Sequence, residues 1–147
     1  MTPLDFKELY CRELDNLHKE VSAYIDENKL WVISGEIKNP PGNLCIHLLG
    51  NVNHFIGAMI GKNGYIRNRE EEFIIKNISK EKLLNDIAVT KAMVETVLSN
   101  ADASEMQKDS PAQLFGTRST EYILAYFLGH FMYHLGQINY HRRLVGS

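Results

Sequence analysis

The chain has 147 residues, 44% of them hydrophobic and 23% charged, with a formal net charge of −2 when its histidines are neutral. That balance is ordinary for one globular domain, here residues 1–147, with enough chain to bury a core. It excludes a basic nucleic-acid footprint, since no cation cluster exceeds Arg142-Arg143, and no apolar run approaches the roughly 20 residues of a membrane-spanning helix.

Thr2 is placed to cap a first helix over residues 3–28, with Pro3 at the first helical position. Phe6, Tyr10, Leu14, Leu17, Val21 and Ile25 recur at three- and four-residue spacing and predict one buried stripe. Residues 29–42 connect it to the next helix; within them Trp31-Val32-Ile33 is short, isolated and followed by Gly35, and reads as loop. A second helix follows Pro40-Pro41-Gly42, over residues 43–59, with Cys45, Leu48, Leu49, Val52, Phe55, Ile56 and Met59 on its apolar face. Residues 60–78 form a long connection holding the charged run RNREEEF and apolar anchors at Tyr65, Ile66 and Phe73. Two readings of it stand side by side: a solvated crossing with a short helical turn, or a rim over a pocket. Its Glu70-Glu71-Glu72 run reads as solvated. Ser79 is an N-cap for a third helix reaching residue 99, with Leu83, Leu84, Ile87, Ala88, Val94 and Leu98 inward.

The fourth helix spans residues 119–144, before Gly146. Four helices without a strand pattern predict an all-α bundle. Between Tyr122 and Leu135 the last helix is apolar nearly all the way round, which demands burial on more than one side and predicts a symmetric homodimer. The N-terminus, MTPLDFKELYCRELD, lacks the apolar stretch of a secretory signal, and Cys11 and Cys45 have no metal-like spacing. The expected compartment is therefore a reducing cytoplasm, with both thiols free. Gly57 to Asn63 is one residue short of a phosphate loop and follows a helix rather than a strand, which rejects nucleotide binding.

The chemistry lies in the histidines. His130 and His134 are four apart, so they share a helix face about 6 Å apart along the axis, a spacing that can grip one transition-metal ion. His141 falls on the same stripe but roughly 10 Å beyond His134, too far for a shared ion, and near the helix end where an imidazolium suits the dipole. His47 and His54 are seven apart on the second helix; either can supply a third ligand, not both, and spacing alone does not choose. Asn51, one turn from His47, is a candidate to orient a ligand or hold a water. His18 has no partner by periodicity.

HLLGN at residues 47–51, GYIRNREEEF at 64–73 and HFMYHLGQINYHRRL at 130–144 resemble the DinB-like superfamily over nearly the whole chain, the His-x-x-x-His-x-Gly-Gln ending being the most specific piece. The resemblance implies a four-helix up-down-down-up bundle, commonly a homodimer, with a three-histidine metal site inside one end. It assigns the ligands to His47, His130 and His134, and favours His47 over His54, which is extra to the pattern. Gly136 and Gln137 match the Gly-Gln, the glycine expected to permit close helix packing and the glutamine to be structural or to support a ligand. Cys45 points to the opposite side of its helix and is not expected to coordinate.

Three neutral imidazoles leave a divalent ion its full charge and an open position, as in catalytic rather than structural sites. Imidazole suits zinc, nickel, copper or iron, and the expected ion, zinc or nickel, would activate water or a low-molecular-weight thiol against a small-molecule substrate. The expected function is thus a metal-dependent thiol S-transferase or hydrolase, with Asn51, Gln137, Arg67 and Arg69 contacting substrate or cofactor and no general base identifiable. A non-catalytic metal-binding or stress-related bundle protein is the alternative. No nucleic-acid or membrane partner is expected.

Overall fold

Side-chain caps decide where most of the helices begin. Thr2 Oγ1 accepts from the Asp5 backbone N–H and the Asp5 carboxylate accepts from that of Thr2, a reciprocal pair worth about 1 kcal/mol. Asn68, Ser79 and Ser119 cap three later helices, while Pro40 and Pro41 open another without a side-chain cap. The structure is a computed structural model describing residues 1–146; Ser147, the last residue of the expected domain, lies outside them. Among the described residues the chain is all-helical, with α1 (Pro3–Ser22), α2 (Pro41–Val52), α3 (Arg69–Ile74), α4 (Lys80–Asn100), α5 (Thr120–Val145) and no named strand.

The ends of α4 and α5 agree with the sequence to within a residue or so, whereas α1 stops at Ser22, short of residue 28. Asp26 accepts a hydrogen bond from the Asn28 backbone and caps a 3-10 turn, Glu27–Trp31, so the chain leaves the helix axis. Ile25, expected in the buried stripe, is consequently 84% exposed, and Tyr24 and Leu30 fill the core instead. Val32 and Ile33 are loop, as their isolation predicts. Helix α2 runs on into a π-helical turn, Asn53–Ala58. There the Asn53 side chain donates to the Leu49 carbonyl and to Thr90 of α4.

Contacts along the helices fix their neighbours. Tyr10 reaches the Leu124 carbonyl and Tyr24 that of Ile138, so α1 and α5 run in the same sense. Lys7 meets Ser99 and Asp15 meets Lys91, opposed senses for α1 and α4. His47 faces His130 and Phe55 stacks on Phe127, so α2 opposes α5; Asn53 on Thr90 and Gly57 against Met93 align α2 with α4. The core between them holds Phe6, Leu14, Leu48, Ile56, Leu83, Leu98 and Phe131, each worth about 1.5–3 kcal/mol when fully buried. Ala88, expected inward, is exposed, and Thr90 takes the buried position facing Asn53.

Tyr122, Tyr126, Met132 and Tyr133 of α5 stay 45 to 66% exposed, so one chain does not bury that helix on every side. None of the described helices is long and apolar enough to cross a membrane.

Candidate metal centre

Helix α2 delivers His47 and α5 delivers His130 and His134 to one place: one ring nitrogen from each lies within 4.8 Å of the others. His47 Nε2 and His130 Nε2 are 3.2 Å apart. Two nitrogens bound to one tetrahedral zinc at 2.0–2.1 Å stand roughly 3.3 Å apart, so this pair is already at ligand spacing. His54 is not among the three, which resolves what helical spacing leaves open. It sits in the π-helical turn, edge-on to Phe55, with Nδ1 buried and without a partner; burial, then Arg67, holds its pKa below the ordinary value.

The outer nitrogens explain why the inner ones face the centre. His47 Nδ1 lies 3.0 Å from Glu72 Oε1, and that carboxylate also accepts from Arg67 Nε and Nη2, both at 2.9 Å. A carboxylate accepts only, so Nδ1 carries the proton and Nε2 presents a bare lone pair. Arg67 Nη2 is 3.3 Å from the same Nδ1, but its proton goes to Glu72. His134 Nδ1 likewise donates to Gln137 Oε1 at 2.7 Å, freeing its Nε2. His130 alone has no partner on Nδ1, which is buried. With its single proton on Nδ1, the Nε2 lone pair joins those of His47 and His134, and a cation at their focus is what the donor set fits.

Burial keeps the two rings on α5, His130 and His134, neutral near pH 7. Burial, then His134 and His47, lowers the His130 pKa to about 4, and burial also lowers that of His134 despite Gln137. Burial would raise the Glu72 pKa, but the hydrogen bonds from His47 and Arg67 outweigh it and hold the carboxyl below its usual range. Glu72 and Arg67 are side-chain exposed by only 6% and 11%, a buried pair whose charges cancel beside the site.

Glu72 corrects the sequence reading of its run: Glu70 and Glu71 are exposed, but Glu72 is buried. Its seat is Gly50, where an added Cβ would stand 1.9 Å from Glu72 Oε2. The signal was in HLLGN, whose glycine is where a neighbouring group approaches the α2 backbone. Helix α3 is held there by Asn43, fully buried, whose amide donates to the carbonyls of Glu72 and Ile75 at 2.9 and 2.8 Å. Residues 60–78 cross with a short helix, as one of the two readings expects, and its inner face covers His47, with Phe73 4.7 Å from that ring. Ile66, expected to anchor, is 91% exposed.

The other expected contacts are distributed as follows. Arg67 is committed to Glu72, and Arg69 lies over the Phe73 ring at 5.4 Å. Asn51 is buried yet joins none of the hydrogen bonds among the three histidines and their partners. Gly136 does not serve packing between helices of one chain, because a Cβ there meets nothing within 4 Å. His141 is not among the three; it lies in the last turns of α5, buried between the Tyr24 hydroxyl and the Val32 carbonyl, both at 2.8 Å. His18 is away from the three, its Nδ1 3.4 Å from the Ser22 hydroxyl. Cys45 is in the core away from the ligands, its thiol pushed up to about 12 by burial and then by Asp86. No protein-family model matches the chain, and no curated protein does.

Proposed function

We propose that this protein is a metal-dependent enzyme of the DinB-like superfamily, holding one divalent ion on His47, His130 and His134. The observation that carries the reading is the convergence of three ring nitrogens within 4.8 Å, two of them with their tautomers set by Glu72 and Gln137. The same-sense pairs α1 with α5 and α2 with α4, and the opposed pairs between them, support an up-down-down-up four-helix bundle. Zinc or nickel suits imidazole donors, and such an ion, when bound, supplies the Lewis acidity that makes water or a low-molecular-weight thiol a nucleophile near neutral pH. The protein's part is to hold three uncharged donors, cancel the Glu72 charge with Arg67, and leave a position open to a small electrophilic substrate.

A non-catalytic metal-binding or stress-related role is the second reading. It is favoured by one fact: the one carboxylate hydrogen-bonded to a ligand, Glu72, is fully engaged by His47 and Arg67 and is not free to move protons. A reducing cytoplasm suits a chain with both cysteines free. A second copy is proposed to cover the ridge Ala125, Gly129, Met132 and Gly136, all exposed, where neither glycine would bring a Cβ within 4 Å of anything.

The test is turnover by zinc- and nickel-loaded protein of an alkylating electrophile with and without added thiol, and of a hydrolysable ester or amide. Turnover that disappears in a folded His130→Ala/His134→Ala variant supports the enzyme. Metal-loaded protein that is inert throughout supports the second reading.

A further inference from the structure

A cleft of about 630 Å³ lies between the loop after Trp31 and the C-terminal half of α5, beside the metal centre rather than at it. Its volume is in the range of small-molecule sites. Of the three converging histidines only His134 lines it, together with Gln137, the residue that takes the His134 Nδ1 proton. Because Oε1 is spent on that bond, the Gln137 amide –NH2 is left with its donors directed elsewhere, and Gln137 itself is exposed.

The remaining walls are mainly apolar: Ile37 and Leu44 on one side, Tyr133, Tyr140 and Leu144 on the other. Tyr133, Gln137, Tyr140 and Leu144 follow one another at helical spacing, so two phenol rings flank the amide along a single ridge of α5. That ridge is adjacent to, and separate from, the glycine ridge. At the rim Glu36 and Lys38 offer one charge of each sign, which gives no net field to select an ion. The loop wall is fastened where the buried His141 meets the Val32 carbonyl at 2.8 Å.

We propose that this cleft binds an uncharged, ring-containing small molecule whose hydrogen-bond acceptor meets the Gln137 amide, its rings lying between Tyr133 and Tyr140. That a ligand binds here stands on the cleft; that the ligand is the substrate rests on the metal-centre reading above. Bound there, the molecule is held one helical turn from His134 and against the residue that orients that ring.

The probe is 6-propionyl-2-(dimethylamino)naphthalene, neutral and aromatic with a ketone oxygen that accepts, titrated into the metal-free full chain. Trp31, the single tryptophan, packs on Gly42 at the start of α2 and reports binding by energy transfer. Saturable binding is expected, weakened about tenfold or more in Tyr140→Arg and Leu144→Arg, both at residues 72% exposed and outside the core, and unchanged in Ile66→Arg on the opposite loop. Gln137→Leu is expected to weaken the probe less than either charged variant. The proposal is overturned if the wild type shows no saturable signal, if both arginine variants bind as the wild type does, or if the anionic 1-anilinonaphthalene-8-sulfonate binds more tightly than the neutral probe. Zinc plays no part in these titrations, so a failure of zinc to bind would sink the metal centre and leave this result standing.

Discussion

Replacing Gly50 by alanine is the sharpest perturbation of the histidine cluster that touches no histidine. The new Cβ would lie 1.9 Å from Glu72 Oε2 and 2.6 Å from its Cδ, so the carboxylate must leave. It is not a free chain end: His47 holds it at 3.0 Å and Arg67 at 2.9 Å twice, in a side chain only 6% exposed. Hydrogen bonds to a charged group contribute about 1.5–3 kcal/mol each, and losing two outweighs the ~1 kcal/mol that alanine gains over glycine in a helix. A net loss of about 3 kcal/mol follows, which lowers Tm by about 6–12 °C in a chain of this size. Loss of the carboxylate behind His47 also weakens metal binding about 10- to 100-fold. Thermal melts by circular dichroism at 222 nm and zinc titration against a chromophoric chelator measure the two effects. A Gly50→Ala protein as stable and as zinc-avid as the wild type would refute the seat assigned to Glu72.

Arg67→Ala leaves Glu72 buried without its cation and should cost about 3–5 kcal/mol in a urea melt, whereas an exposed pair such as Lys82–Asp86 should cost under about 1 when broken. Equal small costs would place the Arg67 pair at the surface. For pH, the folded pKa values of His130, about 4, and His134 lie below the unfolded value near 6.5. Their contribution is therefore intact above about pH 6.5 and falls as the pH drops towards 4, while that of Glu72, held low, is intact above its ordinary carboxyl value and is lost as the pH falls through and below it. Metal-free Tm should fall between pH 7 and 5, and a flat profile there would contradict neutral, buried rings. In native protein a thiol reagent should leave Cys45 unmodified and label the half-buried Cys11 slowly, both reacting after denaturation; rapid labelling of Cys45 would contradict its burial.

Much of the frame was legible because it is written in local chemistry. Thr2, Ser79 and Ser119 announce helix starts by capping, and the i, i+4 pair of His130 and His134 needs only helical pitch. What local rules could not reach were consequences of three-dimensional neighbours. Ile25 has the right period for the α1 stripe, but Asp26 turns the chain out first. Glu72 looks like its solvated neighbours until Gly50, more than 20 residues earlier, provides a berth for its carboxylate. Arg67 was visible as a charge and as a possible substrate contact, yet its partner five residues on decides its role. The choice of His47 over His54 also lies beyond periodicity, which puts both on one face. Gln137 was recognisable from its motif, but its bond to His134 is a matter of rotamer.

The most direct measurement is metal stoichiometry after equilibrium dialysis against zinc, read by elemental analysis on the wild type and on His47→Ala, His130→Ala and His134→Ala, each checked for folding by circular dichroism. One tightly held ion per wild-type chain, lost or weakened by orders of magnitude in every variant while His54→Ala keeps it, is the expected result. Equal zinc in the wild type and in all three ligand variants would contradict a centre built on these rings.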